Sequence, residues 1–441
     1  MELDDPPLRR LAEEGLGDDA AYELIASELL LDGSARLNLA TFVTTWMPSQ
    51  AERLMAQTAE KNMIDKDEYP QTAEIESRCV EIIADLWNAP PSDRATGCST
   101  TGSSEAVMLG GLALKWRWRE RMRAAGRPYD RPNLVAGINV QVCWEKFCRY
   151  WDVEPRFVPM EADRYTLGAA EAAALCDENT IGVAAILGST FDGSYEPVAE
   201  IAAALDKLER DTGIDVPIHV DAASGGFIAP FLQPDLIWDF RIPRVQSINA
   251  SGHKYGLVYP GVGWALWRDR DALPKDLIFD VNYLGGHMPT FALNFSRPGS
   301  EVVAQYHMFA SLGREGYRRV QQRSADIARE LAAGIAQIGP YRLVSDASDL
   351  PVFAFTLKPE VTNYTVFDVS DRLRTRGWLV PAYTFPANRE DLSVLRIVVR
   401  AGMSHEMGDL LLRDLRDRTA RLEALDGPLP RGREQVAAFA H

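Results

Sequence analysis

The chain has 441 residues, of which 46% are hydrophobic and 25% are charged, and its formal net charge is −16. This length corresponds to about three domains, or to one large domain with appendages, and the composition is that of an ordinary globular protein. The acidic balance argues against nucleic acid or an anionic membrane surface as the main partner, because proteins that bind these carry a basic excess.

The cysteines and the start of the chain indicate a compartment. The five cysteines are odd in number and include no Cys-x-x-Cys pair, which predicts reduced thiols in a cytoplasmic protein rather than a disulfide framework. The acidic start lacks a signal-peptide pattern. Because no run of about 18 apolar residues occurs, we expect no transmembrane helix.

The first part of the chain is predicted to be helical. Residues 1–36 form an N-terminal arm with a helix over 20–31, which the turn-forming run Asp32-Gly33-Ser34 ends. A second helix is predicted over 72–87, where apolar residues recur at helical spacing.

Strands and helices alternate from about residue 97 to residue 270. Helices are predicted from Gly102 to 123 and over 196–211. Strands are predicted over 134–136, 181–187, 216–220, 245–248 and 261–267. This alternation predicts an α/β fold with a large, mostly parallel sheet and helices on its faces.

The C-terminal part is predicted to form a smaller α+β domain. A long helix is predicted from about residue 318 to residue 338, where Gly339-Pro340 ends it. Strands follow over 352–357 and 395–399, with helices over 365–376 and 405–423. We therefore expect four parts: an N-terminal arm (1–36), a large domain (37–324), a small C-terminal domain (325–425) and a mobile tail (426–441).

Three short motifs carry candidate chemistry. Lys254 follows an apolar strand and could form a Schiff base with an aldehyde cofactor, although a lone lysine in a polar loop is more often a surface residue. Asp221 ends another apolar strand and could hold a pyridine nitrogen in its protonated state, or could cap a helix. Gly102, Ser103 and Ser104 open a helix whose free N–H groups could bind phosphate, or form a plain N-cap. Together, in this chain order, the three motifs specify pyridoxal 5′-phosphate (PLP).

Longer segments carry a resemblance to a known family. The chain resembles the group II PLP-dependent decarboxylases of the bacterial glutamate decarboxylase type, from about residue 20 to the C-terminus. The segments that carry the resemblance are Asn38-Leu-Ala-Thr-Phe42, Asn62-Met-Ile-Asp65-Lys-Asp-Glu-Tyr-Pro70, Gly102-Ser-Ser-Glu-Ala106, His219-Val-Asp-Ala-Ala-Ser-Gly-Gly226, Ser251-Gly-His-Lys254 and Asn294-Phe-Ser-Arg-Pro298. The resemblance implies the fold type I architecture of PLP-dependent transferases and the conversion of L-glutamate to 4-aminobutanoate and CO₂.

The resemblance assigns cofactor roles at the matching positions. Lys254 resembles the Schiff-base lysine, Asp221 the partner of the pyridinium nitrogen, and Gln141 the residue that stacks over the ring. Ala223 resembles the small residue packed against the ring, and Thr190 the residue close to its 3-oxygen. The implied phosphate ligands are Ser103, Ser104, Ser251, His253 and, from the neighbouring subunit, Ser296.

The resemblance also assigns the substrate residues. Arg400 resembles the arginine that binds the α-carboxylate of glutamate. The residues that would surround the distal carboxylate, partly from the partner subunit, are Thr41, Phe42, Asn62 and Asp65. Because a carboxylate that faces Asp65 must share a proton with it, this pocket favours acid pH.

Two further residues and the expected partners follow from the resemblance. Tyr283 resembles a mobile-loop tyrosine that assists the return of a proton to Cα, and His441 resembles a tail histidine that closes the site near neutral pH. We expect a homodimer as the minimal active unit, no calmodulin partner, no metal ion, and a role in acid resistance.

Two alternatives remain open from the sequence. One is a PLP-dependent decarboxylase that acts on another amino acid, such as aspartate or an aromatic amino acid. The other is a catalytically inactive protein of the same fold that serves as an interaction module. The intact Lys254, Asp221 and phosphate-loop motifs argue against the second alternative.

Overall fold

The computed structural model describes residues 10–11, 13–92, 95–162, 164–281, 288–425 and 427. Its α-helices are α1 (Asp18–Leu29), α2 (Ser49–Gln57), α3 (Pro70–Leu86), α4 (Ser103–Ala124), α5 (Val142–Tyr150), α6 (Ala169–Ala174), α7 (Val198–Thr212), α8 (Ala229–Leu232), α9 (Ser300–Ala336), α10 (Val366–Arg374) and α11 (His405–Glu423). Its strands are β1 (Thr96–Thr100), β2 (Asn133–Gly137), β3 (Glu154–Val158), β4 (Thr180–Ile186), β5 (Ile218–Asp221), β6 (Val245–Ala250), β7 (Gly263–Trp267), β8 (Phe279–Val281), β9 (Met288–Thr290), β10 (Tyr341–Leu343), β11 (Val352–Leu357), β12 (Ala382–Thr384) and β13 (Ser393–Val398).

A seven-stranded sheet in the order β1-β7-β6-β5-β4-β2-β3 forms the centre of the molecule. Strands β3, β2, β4, β5 and β6 are parallel to one another, whereas β7 is antiparallel to both β6 and β1. The predicted α/β class with a large, mostly parallel sheet is therefore confirmed. Since β1 runs in the same direction as β6, the loops that follow β1, β4, β5 and β6 all leave the sheet at one edge.

The sequence of the central strands explains their burial. Every residue of β4 and β5 is buried, because helices cover both faces of a parallel sheet. Such strands are continuous apolar runs rather than alternating patterns, which is why 181–187 and 216–220 could be predicted from the sequence.

A second, antiparallel sheet in the order β10-β11-β13-β12 lies in the C-terminal part. Helices α10 and α11 and the second half of α9 pack against it, and they share a hydrophobic cluster that includes Ile327, Leu331 and Phe353. The segment at Leu39 joins this cluster, because Val398 N–H donates to the Leu39 carbonyl at 3.0 Å. The N-terminal segment before α2 therefore contacts both parts of the protein.

Helix α9 differs from its prediction. It begins at Ser300 rather than at about residue 318, and it continues through a kink at Gly313, whose φ of 56° suits glycine. Its first half packs on the large core through Val302, Met308 and Phe309, and its second half packs on the small core. The predicted domain boundary at residues 324 and 325 lies inside this helix, and the four-part division stays a prediction.

The N-terminal helix α1 buries none of its residues. Its apolar side chains Tyr22, Ile25 and Leu29 are each more than half exposed. None of the helices in the described part of the chain is long and apolar enough to cross a membrane. The predicted tail over 426–441 lies outside the described residues except for Gly427.

Candidate active site

A cavity of about 310 Å³ lies at the edge of the large sheet where β1, β4, β5 and β6 end. Carboxyl ends of parallel strands are the usual place for ligands in α/β sheets. The structure brings together here the following predicted cofactor residues: Ser103, Ser104, Gln141, Thr190, Asp221, Ala223, Ser251, His253 and Lys254. Residues that were separated by up to 151 positions in the sequence therefore form one site.

Lys254 lies in the wall of this cavity. Its Nζ donates to Ser224 Oγ at 3.2 Å and lies 5.1 Å from the centroid of the Phe42 ring. Burial lowers the pKa of the Lys254 amine, and the charge of Arg396 lowers it further, whereas Asp221 opposes the shift. A lowered pKa increases the fraction of neutral amine, which is the form that attacks an aldehyde.

Asp221 is held by donors on both of its carboxylate oxygens. Trp144 Nε1 donates to Oδ2 at 2.9 Å, while Asn249 Nδ2 and Ala223 N–H donate to Oδ1 at 3.0 and 3.1 Å. Hydrogen bonds to the charged form favour an ionised carboxylate. Asp221 is buried, so its anion is suited to pair with a protonated ring nitrogen inside the cavity.

A buried relay extends from Asp221 into the core. Asn249 donates through Nδ2 to Asp221, so its Oδ1 accepts from His219 Nε2–H at 2.7 Å. The other ring nitrogen of His219 then accepts from Ser247 Oγ at 2.7 Å. Burial lowers the pKa of His219, which favours this neutral tautomer. The relay fixes the orientation of the Asn249 amide and hence of the donor to Asp221.

The opposite part of the cavity is suited to a phosphate group. Ser103 and Ser104 lie in the first turn of the 22-residue helix α4, whose N-terminal N–H groups and dipole attract anions. Ser251 Oγ donates to Ser103 Oγ at 2.7 Å. Burial and the charge of Lys254 lower the pKa of His253 to about 4, so its ring is neutral. Gly261 N–H donates to His253 Nδ1 at 3.5 Å, which leaves the ring proton on Nε2.

Gln141 and Thr190 approach the cavity from two different loops. Gln141 is the N-cap of α5, and its Oε1 accepts from Cys143 N–H at 2.7 Å. Thr190 lies in the loop after β4, and its carbonyl accepts from the Arg396 guanidinium. The donor set as a whole, with a lysine, a shielded carboxylate and a helix N-terminus around one cavity, fits PLP.

The two arginines near the C-terminal end of β13 have different surroundings. The Arg396 guanidinium carbon lies 4.8 Å from the centroid of the Phe42 ring, and Nη2 donates to the Ala40 carbonyl at 2.6 Å. Neither arginine belongs to the lining of the Lys254 cavity, but Arg400 donates to the carbonyls of Val43 and Asn38 and lines a separate cavity beside Trp46. Arg396 contacts the same Phe42 ring as Lys254, and its charge acts on the lysine amine, so of the two arginines Arg396 lies on the side of the lysine.

Arg396 was missed in the sequence although a signal was present. Arg396 lies between Leu395 and Ile397 in a largely apolar and buried strand, and Arg396 itself is only 5% exposed. Buried arginines are rare unless they are paired or bind a ligand. An arginine in such a strand is therefore a candidate binding residue by itself.

The predicted substrate residues fall into two groups. Phe42 lies between Lys254 and Arg396, and the neighbouring Thr41 is anchored by Asn38 Oδ1, which accepts from Thr41 N–H at 3.3 Å. The lining of the cavity includes none of the four predicted substrate residues Thr41, Phe42, Asn62 and Asp65, nor the predicted phosphate ligand Ser296.

Asn62 and Ser296 instead contact each other. Asn62 Nδ2 donates to Ser296 Oγ at 3.3 Å, and Asn62 Oδ1 accepts from Arg297 N–H at 3.1 Å. Arg297 in turn is buried and donates to Ser99 Oγ at 2.8 Å, which anchors this segment to β1. The pair therefore forms a distinct surface feature of the same chain, and Ser296 itself is exposed. Tyr283 and His441 lie outside the described residues.

Comparison with known proteins shows the family of the chain. Residues 12–358 match the family model described as the pyridoxal-dependent decarboxylase conserved domain. The chain is 55% identical to a glutamate decarboxylase of Aliivibrio fischeri over 93% of this chain and 89% of the relative. It is 50% identical to glutamate decarboxylase 5 of Arabidopsis thaliana over 92% of this chain and 82% of the relative.

A solved structure gives the same result in three dimensions. The glutamate decarboxylase of Lactobacillus brevis superposes with a TM-score of 0.93 at 47% sequence identity, and the match covers 96% of each chain. One cavity holds the lysine, the shielded aspartate and the helix N-terminus. The family model matches most of the chain, and the folds agree. The chain belongs to the pyridoxal-dependent decarboxylase family.

Proposed function

We propose that this protein removes the α-carboxylate of L-glutamate with PLP as its cofactor and releases 4-aminobutanoate and CO₂. The observation that carries the proposal is the identity of 48–55% with glutamate decarboxylases over more than 90% of this chain. The cavity around Lys254 supports it, because each group that PLP requires lies there.

The residues of the chain supply positioning and charge. A bound PLP would supply an electron sink for the bond between Cα and the carboxylate. Lys254 would hold the cofactor aldehyde through its neutral amine, which the lowered pKa favours. Asp221, which accepts three hydrogen bonds, would face the ring nitrogen. Ser103, His253 and the N-terminus of α4 would hold the phosphate.

We assign the α-carboxylate of the substrate to Arg396 in place of Arg400. The guanidinium of Arg396 lies against Phe42, beside Lys254, and its charge acts on the lysine amine. Its Nε is buried and has no hydrogen-bond partner among the described residues; the same holds for Arg400 Nε, so the position beside Phe42 is what separates the two arginines. A planar guanidinium is well suited to bind a carboxylate through two parallel hydrogen bonds.

We propose a homodimer as the minimal active unit. Asn62, Asp65 and the exposed Ser296 lie outside the lining of the Lys254 cavity of their own chain, as do Thr41 and Phe42, and we propose that the first three serve the cavity of a second copy. The exposed apolar side chains Leu293 and Phe295 lie in the segment just before Ser296, as expected for a surface that a partner covers. The exposed face of α1 supports the same arrangement.

The reaction is proposed to consume one proton per turnover and to be favoured at acid pH. A proton must replace the carboxylate on Cα, and we retain Tyr283 as the residue that assists this transfer. The distal carboxylate of glutamate faces Asp65 in this proposal, and two carboxylates in one site must share a proton. His441 is proposed to close the site as the pH rises towards neutrality.

The physiological setting is proposed to be the cytoplasm, with proton consumption contributing to acid resistance. The five cysteines are free thiols in the structure, which supports a reducing compartment. We propose no calmodulin or nucleic-acid partner. Survival and internal pH of a deletion strain under acid challenge would test the physiological role, and an unchanged phenotype would remove it.

One experiment tests cofactor, substrate and pH response together. The absorbance of the purified protein with added PLP is recorded from pH 4 to pH 8, and a panel of amino acids is then supplied with detection of the amine product. We expect a pyridoxal band and 4-aminobutanoate from glutamate. A band with turnover of another amino acid only would refute the substrate, and no band would favour the interaction module.

A further inference from the structure

A buried carboxylate lies beside the cavity and is not explained by the proposed reaction. Glu196 is 3% exposed and ends the loop that connects β4 to α7. Within the described part of the chain, no lysine, arginine or histidine forms an ion pair with it. Burying a carboxylate without a counter-charge is costly unless several donors satisfy its oxygens.

Three donors from three different segments satisfy Glu196. Its Oε1 accepts from Asn139 Nδ2 at 3.0 Å and from Leu167 N–H at 2.9 Å. Its Oε2 accepts from Ile186 N–H at 2.6 Å. The Glu196 N–H also donates to the Ile186 carbonyl at 3.0 Å. The residue therefore joins the end of β4 to the loop between β2 and α5.

Both joined segments lead directly to residues that line the cofactor cavity. Asn139 precedes Gln141 by two positions, and Gln141 begins α5 as its N-cap. Ile186 itself lines the cavity, and the loop that follows it carries Thr190 and then returns to Glu196. One carboxylate thus connects two loops that place Gln141 and Thr190 in the same cavity.

The packing around this contact leaves little freedom. A Cβ atom on Gly137 would lie 2.1 Å from Asn139 Oδ1 and 3.0 Å from Glu196 Oε1, so a larger residue there would displace the Asn139 side chain. Asn139 is 1% exposed, and its Oδ1 has no hydrogen-bond partner in the described structure. The contact with Glu196 is therefore the side-chain hydrogen bond that fixes the Asn139 amide.

We propose that Glu196 is a positioning residue whose carboxylate holds the loops of Gln141 and Thr190 in place on the cofactor. It does not touch the reacting atoms and acts through Asn139 and the end of β4. This inference rests on the proposed function in that PLP occupies the cavity. It extends that function by naming a residue outside the cavity on which the placement of the ring depends.

The test replaces Glu196 by glutamine in the full-length protein and measures PLP affinity by absorbance titration at pH 8, above the pKa of about 7 to which burial raises Glu196, so that the parent protein carries the carboxylate. The glutamine amide offers one acceptor oxygen, so its NH₂ group must face at least one of the three donors. We expect the dissociation constant of PLP to rise by about fivefold or more, and kcat for glutamate to fall by about tenfold, because small displacements at a reacting centre are costly. KM should change by less than about threefold, since no substrate-facing group is altered.

Asp414→Asn is the matched control. Asp414 is also a buried carboxylate. It accepts from Trp378 Nε1 at 2.8 Å and from Arg376 Nε at 3.1 Å, but it lies in α11, which packs on the small sheet. We expect this variant to lose thermal stability while its PLP affinity and kcat stay within about twofold of the parent. A loss of PLP affinity in Asp414→Asn equal to that in Glu196→Gln would overturn the proposal, as would a Glu196→Gln protein with parental PLP affinity and kcat.

Asn139→Ala keeps the test decisive if Glu196→Gln does not fold. This variant retains the Glu196 carboxylate and removes only its hydrogen bond to the loop of Gln141. We therefore expect a weaker PLP affinity and a lower kcat in a folded protein. Parental values for Asn139→Ala would overturn the proposal. PLP titration needs no substrate, so a parent protein that binds PLP but does not act on glutamate would refute the proposed function and still test Glu196.

Discussion

Replacing Arg396 and Arg400 separately by glutamine distinguishes their roles. Arg396→Gln removes the charge that lies beside Phe42 and Lys254, whereas Arg400→Gln removes a group that lines a different cavity. Losing one partner of a buried, hydrogen-bonded charge pair costs about 2–5 kcal/mol. At about 1.36 kcal/mol per factor of ten, kcat/KM for glutamate should fall between about 30-fold and several thousand-fold in Arg396→Gln. We expect a change of less than about threefold in Arg400→Gln.

Both variants should lose stability, so stability alone does not separate them. Arg400 is 7% exposed and donates to the carbonyls of Val43 and Asn38 and to Thr45 Oγ1 at 3.0 Å. Hydrogen bonds from charged groups contribute about 1.5–3 kcal/mol each and are not additive, so Arg400→Gln should lose about 2–5 kcal/mol of unfolding free energy. Arg396 also donates to two carbonyls and should show a similar loss.

The assay is therefore the rate of 4-aminobutanoate formation at saturating PLP, normalised to folded protein. Arg396→Lys serves as the conservative variant, because it keeps the charge but loses the planar fork that binds a carboxylate at two points. We expect it to recover part of the lost kcat/KM. A hundredfold loss in Arg400→Gln together with a near-parental Arg396→Gln would refute the assignment and restore the original role of Arg400.

Three other predictions concern the lysine, the subunit contact and the pH dependence of stability. Lys254→Ala should lose the pyridoxal absorbance band of the lysine-bound cofactor and about 10³-fold or more of glutamate turnover; retained turnover would contradict the Schiff-base role. If Asn62 serves the neighbouring site, co-expressed Lys254→Ala and Asn62→Ala chains should recover up to about a quarter of parental activity in mixed dimers, whereas no recovery would place Asn62 in its own site. Burial, with a contribution from the charge of Asp221, raises the pKa of Glu196 from 4.5 to about 7. Because the folded state therefore retains this proton at higher pH than the unfolded chain does, the contribution of Glu196 to the unfolding free energy should be fully present below pH 4.5 and be lost as the pH rises through 7. This contribution is about 3 kcal/mol, at 1.36 kcal/mol per unit of pKa shift. The change in unfolding free energy with pH, measured by urea unfolding, should therefore be smaller in Glu196→Gln. An identical pH dependence in both proteins would show that Glu196 does not titrate in this range.

Much of the large domain could be predicted because its signals are local. Strands β4 and β5 are buried on both faces, so their sequences are uninterrupted apolar runs with a polar residue at the end. The carboxyl ends of parallel strands meet at one edge, which brings Asp221 and Lys254 together without any knowledge of side-chain packing. The same reasoning did not predict α5, because its nine residues are too few to show a clear helical spacing of apolar side chains. It also did not predict that β7 runs antiparallel to β6.

Helix α9 shows why some boundaries escape sequence patterns. Its first half contains Gly313 and Gly316, which are ordinary signs of a helix end. Gly313 itself departs from helical geometry, with φ 56° and ψ −174°, but a helix still forms on its N-terminal side because Val302, Met308 and Phe309 pack against the large core. The decision is made by residues far away in the sequence.

The sequence by itself determined the α/β class, the cofactor and the order of the phosphate loop, the aspartate and the lysine, since each depends on short motifs at strand and helix ends. Only the tertiary structure decided which arginine lies beside Lys254, because Arg396 and Arg400 are four positions apart and differ in what the segment around Phe42 packs against. It also decided the role of Glu196, whose three donors come from segments that are up to 57 positions away. Burial and partner geometry arise from the packing of distant segments, and no local pattern encodes them.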